Sequence, residues 1–265
     1  PARRVALILW NHGDGWSKAD AVGSADAKSF ASDIHGTQEG ISIARGELGR
    51  ALDPIAAAHG NALDILGFDA CSMGMWEVGV AARTRARRLV ASSEVEPAAG
   101  WPYDVILASL SEQPSMEGEE LAATIVQAYA DESLQHFTLS DIDLEMGDDL
   151  DAALDAFAVE VTGAEDYYDA LEDVRLSRQR FDEAGHVDLV DLALGVEADP
   201  SAPPGVAAAA GALANAALDA IGSSANQASH PGAHGIALYL PPGGSSSDPW
   251  YSDGRAPWVA TSAWD

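Results

Sequence analysis

Residues 63–91 read LDILGFDACSMGMWEVGVAARTRARRLVA, and their order of patterns decides the fold class. Residues 63–68 are a short apolar run of strand length, closed by the acid Asp69. Residues 73–85 read as a helix beginning directly after Cys71, and a further apolar run, 89–91, begins beside Arg88. Strand, helix, strand is the repeating unit of a parallel sheet with right-handed crossovers. The same unit extends upstream. Residues 5–10, VALILW, read as a buried strand, and 41–59 place Ile41, Ile43, Leu48, Leu52 and Ile55 roughly on one helical face, stopped by Gly60 and Asn61. A fourth apolar run, 235–240, ends at Pro241 and Pro242. The expectation is an α/β domain with a mostly parallel central sheet flanked by helices.

The second half is more helical and more acidic. Residues 118–133, 146–161 and 206–221 read as helices, while 17–40, 198–205 and 243–249 are rich in loop-forming residues. At 265 residues, the chain suits one large domain. Its 14 Lys and Arg against 42 Asp and Glu give a net charge of −28, a surface that repels phosphate. Nucleic acid and anionic lipid are therefore poor partners, and cationic peptides or metal ions would be attracted. No apolar run is long enough for a membrane span, and no signal segment is visible. A start at Pro1 reads as a processed or trimmed chain, which leaves a secreted or cell-envelope location open. One cysteine, Cys71, rules out an intramolecular disulfide and a cysteine-cluster zinc site. The remaining histidines lack His-Glu-x-x-His spacing, and neither a Gly-x-Ser-x-Gly elbow nor a Walker loop occurs.

Ligands of open α/β sheets bind beyond the carboxyl ends of the strands. The run 5–10 leads into Asn11-His12-Gly13-Asp14-Gly15-Trp16, and the run 63–68 leads into Asp69-Ala70-Cys71-Ser72-Met73. Adjacent parallel strands would bring an imidazole and a thiol to one crevice, the minimum apparatus of covalent acyl transfer. A helix start beside Cys71 and an imidazolium would both lower the thiol pKa, and the N–H groups of Gly13 and Cys71 could form an oxyanion hole. Taken singly, Cys71 also reads as a buried structural thiol, and His12 as a hydrogen-bonded strand-end histidine.

Residues 7–16, LILWNHGDGW, and 67–73, GFDACSM, resemble the two catalytic blocks of the clostripain-like cysteine peptidases. Residues 92–97, SSEVEP, with 100–103, GWPY, and residues 233–239, AHGIALY, resemble later blocks of the same family. The resemblance implies a caspase-like αβα sandwich with His12 as general base and acid and Cys71 as nucleophile. It also places Asp69 where the family holds a basic side chain before the scissile bond. Glu94 or Glu96 could add a second acid there, although Asp69 also reads as a helix cap and each glutamate as a solvated loop carboxylate.

The leading expectation is an endopeptidase cleaving after Arg, or Lys, through a thioester, within a single domain over 1–242 followed by an extension, 243–265, packing on it. Relatives mature by cleavage between histidine and cysteine, where Lys18, Lys28 and Arg45 are among the basic residues available; Lys18 and Lys28 lie in the irregular stretch. The sequence itself requires no cofactor. Calcium is carried as a candidate by the resemblance alone, because Asp141-Ile142-Asp143-Leu144-Glu145 lacks the glycine and the distal glutamate of an EF-hand. Family members usually carry strands ahead of the His-Gly strand, so a partner fragment completing the sheet is a further expectation. The alternatives are an inactive binding module for cationic peptides and a purely structural acidic domain.

Overall fold

The computed structural model describes residues 3–16, 30–32, 40–132, 137–182, 185–243 and 264. The strands in these residues are β1 (Ala6–Trp10), β2 (Phe30–Ser32), β3 (Gly40–Ile41), β4 (Leu63–Asp69), β5 (Ala86–Ala91), β6 (Thr138–Asp143), β7 (His186–Asp188), β8 (Ile221–Asn226) and β9 (Ala237–Tyr239). The helices are α1 (Glu47–His59), α2 (Trp76–Ala82), α3 (Tyr103–Glu112), α4 (Gly118–Glu132), α5 (Gly147–Thr162), α6 (Tyr168–Ser177), α7 (Leu189–Glu197) and α8 (Pro204–Asp219).

The central sheet runs in the order β1-β4-β5-β6-β8. The first three strands pair in parallel, and β6 is antiparallel to both of its neighbours. One strand of the five is thus reversed, and the sheet is mostly parallel as expected. Alternate residues of β4 and β5 face opposite layers, which is why these strands read as continuous apolar runs. Leu66, Phe68, Leu89 and Ala91 join Leu48 and Leu52 of α1, Val78 of α2 and residues of α5, α7 and α8 in one cluster. Ile65 and Val90 join Ile106 of α3 and Ile125 of α4 in the other. Helix, sheet, helix is therefore the layering, the αβα sandwich that the resemblance implied.

Three sequence expectations change. The helix after Cys71 begins only at Trp76, because Ser72 takes a left-handed φ of 57° and its N–H is fixed by the Glu94 carbonyl. No helix end therefore touches the thiol. The run 235–240 narrows to β9, which pairs with β7 in a separate two-stranded sheet rather than entering the central one. The sheet's far side is completed by β6 and β8, neither read as a strand. Asp141 and Asp143 in β6 disguise it, and both accept from Arg88 of β5, at 2.7 and 3.4 Å. Strand β1 is the outer strand of the sheet among the described residues. Ala6 and Trp10 are exposed there, with Trp10 at 71%. Of the expected extension from 243 onward, Trp264 is described: its ring stacks on Phe157, and its indole N–H donates to the Tyr239 carbonyl.

Asp188, fully buried at the start of α7, accepts from the N–H groups of Asp191 and His234 and from the His234 ring. That hydrogen bond, opposed by partial burial and helped by the carboxylate charge, raises the His234 pKa. A raised folded-state pKa stabilises the fold fully below the ordinary histidine value of about 6.5, and the gain fades as pH rises through the folded value. The thermal stability advantage of wild type over His234→Gln is therefore expected to be largest below about pH 6.5 and to shrink above it. Asp188→Ala, which strands several donors, is expected to cost about 2–4 kcal/mol in denaturant unfolding.

Candidate active site

Pairing between β1 and β4 sets Trp10 opposite Asp69, so the chain leaves both strands at the same level. The Asn11 N–H still reaches the Asp69 carbonyl at 3.4 Å, and the Asn11 side chain accepts from the His12 N–H at 2.7 Å. This local turn presents the His12 side chain to the surface. Gly13 then crosses the backbone of the nucleophile loop so closely that a Cβ would stand 2.4 Å from the Cys71 carbonyl oxygen. Only glycine fits that crossing. His12, Asp69, Cys71 and Glu96 all line one cleft of about 450 Å³, with Trp10 and Val95 among its apolar walls. The structure thus brings the expected imidazole and thiol to a common crevice.

Cys71 is half-buried, and its sulfur accepts from the Glu96 N–H at 3.3 Å. Burial pushes the thiol pKa up; that N–H opposes the shift, and the Glu96 and Asp14 carboxylates add to it. The resting sulfur is therefore a neutral thiol rather than the lowered thiolate that a helix start would have favoured, because that helix starts five residues later. The Gly13 N–H has no hydrogen-bond partner among the described residues, while the Cys71 N–H lies toward its own sulfur and favours the thiolate. Of the two donors predicted for an oxyanion hole, the Gly13 N–H is uncommitted among the described residues and the Cys71 N–H is shared with the thiol.

Asp69 is buried beneath the cleft. Its Oδ2 accepts from the Trp101 N–H at 3.2 Å and from the Tyr103 hydroxyl at 2.8 Å. It does not cap a helix after Cys71. Gly100, at φ 67°, allows the approach, since a Cβ there would stand 2.8 Å from Asp69 Oδ2. Burial first and then the Asp69 carboxylate push the Tyr103 hydroxyl pKa upward, so it remains a donor. Glu96 reaches the same place, its Oε1 accepting from the Trp101 indole N–H at 3.3 Å. Burial, the Asp69 charge and a hydrogen bond with Asp69 hold its pKa well above the usual carboxylate range.

Glu94, expected as an alternative second acid, is held elsewhere. Its carboxylate accepts from the N–H groups of Val95 and Asp182 and meets the His230 ring at 3.1 Å, tying three loops together. Glu94 therefore shapes the loop beside Cys71, and Glu96 is the glutamate of the cleft. Trp101 and Tyr103, to which the sequence assigns no role, are both donors to the acidic pair. Lys18 and Lys28 lie outside the described residues.

Acidic groups away from the cleft that the sequence singles out are engaged in ion pairs and hydrogen bonds. Asp141 and Asp143 hold Arg88, and Asp151 holds Arg83 and the Trp76 indole. Among the described residues no cluster of three or more carboxylate, imidazole or thiol groups converges as a cation site.

The model of the Clostripain family, peptidase C11, matches residues 1–265. Comparison of the sequence with curated proteins finds no match. Among solved structures, a secreted C11 cysteine protease from Bacteroides thetaiotaomicron in complex with an irreversible peptide inhibitor is 20% identical. The match covers 100% of this chain and 73% of that one, with a TM-score of 0.69. An inactive zymogen C11 protease from Parabacteroides distasonis is 20% identical over 98% of this chain and 67% of its own, with a TM-score of 0.59. A clostripain from Bacteroides thetaiotaomicron ATCC 29148 in complex with the peptide inhibitor BTN-VLTK-AOMK is 17% identical over 89% of this chain and 99% of its own, also at 0.59. At these identities the structural likeness is one of fold. The match over the whole chain places it in the clostripain family, and the protein is a cysteine peptidase.

Because Cys71 is the sole cysteine, iodoacetamide modification followed by mass spectrometry reports its ionisation directly. The rate in the unliganded protein is expected to reach half its maximum at a higher pH than that of an exposed peptide cysteine, about 8.5. Asp14→Asn, which removes one of the charges opposing the thiolate, is expected to move that midpoint downward.

Proposed function

We propose that the protein is an endopeptidase that cleaves after arginine, and also lysine, using His12 and Cys71 as a dyad. The observation that carries this reading is the cleft itself. It joins the imidazole and thiol to two carboxyl groups, Asp69 and Glu96, and among the described residues no arginine or lysine lines it. A guanidinium entering such a site meets charge-assisted acceptors in a partly desolvated place, where they discriminate most strongly. The neighbouring clostripain supports the reading, since the peptide of its inhibitor, VLTK, ends in lysine.

In this mechanism His12 takes the proton of the Cys71 thiol as the sulfur attacks the carbonyl carbon. The oxyanion so formed is stabilised by the Gly13 and Cys71 N–H groups. As the C–N bond breaks, His12 gives its proton to the leaving amine, and a thioester remains on Cys71. His12 then takes a proton from water, whose oxygen attacks the thioester, and the acid product departs with the thiol restored. The raised thiol pKa makes His12 necessary, because the resting site carries little thiolate of its own.

Hydrolysis of an arginyl-amide reporter is expected to fall by at least about a thousandfold in Cys71→Ala and in His12→Ala. Asp69→Asn is expected to lower kcat/KM for arginyl substrates by about thirtyfold or more relative to a neutral side chain at the same position. Equal hydrolysis by wild type and Cys71→Ala would remove the peptidase reading of this cleft.

Self-cleavage after Lys18 or Lys28 belongs to the same proposal, supported by the zymogen among the structural neighbours. Prolonged incubation is expected to generate a new amino terminus at residue 19 or 29, detected by intact mass. An unchanged mass would overturn it. Secretion is proposed on the neighbour described as a secreted protease.

One observation favours a second reading. The apolar edge of β1, with Ala6 and Trp10 exposed, offers a place for a further strand from a partner fragment. A chain needing that strand would bind cationic peptides without cleaving them.

A further inference from the structure

The acidic floor of the cleft has an unusual hydrogen-bond balance. Glu96 is 9% exposed, its Oε1 accepts from the Trp101 indole, and its Oε2 is buried with no N–H or O–H donor in reach among the described residues. The group it faces is the Asp69 carboxyl. Asp69 is 3% exposed, and both of its donors, the Trp101 N–H and the Tyr103 hydroxyl, go to Oδ2. Two carboxylates therefore meet in a confined space with three neutral donors. Two buried anions in contact cannot both stay ionised without a cation or a proton between them.

Among the described residues the surroundings supply no cation of their own. On β4 the nearby charge is Asp69 itself, and on α3 it is the neutral Tyr103 hydroxyl. The loop after β1 brings His12 and Asp14, the loop after β4 brings Cys71, and no lysine or arginine among the described residues lines the cleft. The glycine at 100 brings the backbone directly over Asp69 Oδ2, which leaves the cleft side as the route by which a counter-charge can arrive.

We propose that the Asp69–Glu96 carboxyl pair holds a single proton in the empty cleft and releases it to solvent when a cationic side chain enters, so that recognition of a basic residue is coupled to proton release. This rests on the reading of the cleft as a site for basic side chains and adds its chemical balance. One O–H bond of the pair is broken, the proton passes to buffer, and the ligand's positive charge takes its place between the two carboxylates. The high pKa of Glu96 in the empty site, caused by burial and then by Asp69, agrees with a retained proton. The sign follows from linkage. A cation lowers the pKa of the pair, so affinity rises with pH until the empty pair is itself ionised and is constant above that point.

The test is calorimetric titration of full-chain Cys71→Ala with a peptide containing arginine and with its citrulline twin. Each is run in two buffers of different ionisation enthalpy, phosphate and Bis-Tris, at several values between about pH 6 and pH 7.5. The arginine peptide is expected to release about one proton per peptide bound, and its affinity to rise by up to about tenfold per pH unit over that interval's acidic part. The citrulline peptide is expected to release none. Glu96→Gln in the same background is expected to keep a preference for arginine through Asp69 and to lose the release, which assigns the proton to the pair rather than to His12. If arginine binds more tightly than citrulline while its heat is the same in both buffers at every pH, the coupling is overturned and the basic-side-chain reading stands. If the two peptides bind equally, or neither binds, both fall together.

Discussion

The parallel pairing of β1 with β4 is the contact on which the active site depends. Its register puts Trp10 beside Asp69, and the next few residues of each chain carry all the groups that can perform acyl transfer. A slip of one residue would turn alternate side chains to the opposite face. It would also move Gly13 off the Cys71 carbonyl, where no other residue fits. Burial of Leu66 and Phe68 on one face and Ile65 on the other holds this register. The core and the site are thus fixed by the same ladder.

Around that ladder, the protein accepts local costs. Ser72 sits in a left-handed conformation that costs a non-glycine residue about 1–2 kcal/mol, and its hydroxyl is buried without a partner among the described residues. The conformation is what turns the chain sharply after Cys71 and leaves the thiol at the strand end instead of in a helix. Ser92, Thr138 and Glu94 brace the facing loop through short hydrogen bonds, and the Glu94 carboxylate anchors that loop to the chain near Asp182 and His230. The strained turn is held from the outside by this network. A carboxylate two residues away from Glu96 is therefore structural, while Glu96 itself enters the cleft.

That division marks the limit of what the sequence made legible. Strands β1, β4 and β5 were readable because they are buried runs of aliphatic residues bounded by turns or charge, and the placement of His12 and Cys71 followed from their ends. Strand β6 was hidden because its charges, Asp141 and Asp143, are neutralised by Arg88, 53 and 55 residues distant in sequence. Strand β8, IGSSAN, carries almost no apolar signal because it lies at the sheet's other edge and shows alternate positions to solvent. Helix α2 was placed too early, since its apolar residues continue into the turn where Met73 and Met75 are buried without being helical. Glu94 and Glu96 could not be separated by type or position. Only the path of the loop after β5 decides which carboxyl turns toward Asp69.

The net charge of −28 acquires two different meanings in the structure. The few cations are largely spent on internal pairs: Arg83 with Asp151, Arg85 with Asp53, Arg88 with Asp141 and Arg175 with Glu172. Acids of α5 such as Asp148 and Asp149 lie in its first turn, where the helix dipole favours them and water screens them. Their effect on a distant cation is a weak field, reduced by salt over about 8–10 Å. Asp69 and Glu96 are the opposite case, since they are removed from water and lie against each other. Screening by salt reaches such groups poorly, so their preference for a cation depends on contact rather than on the field of the whole surface. The surface charge governs how readily a cationic peptide arrives, and the buried pair governs whether its side chain fits.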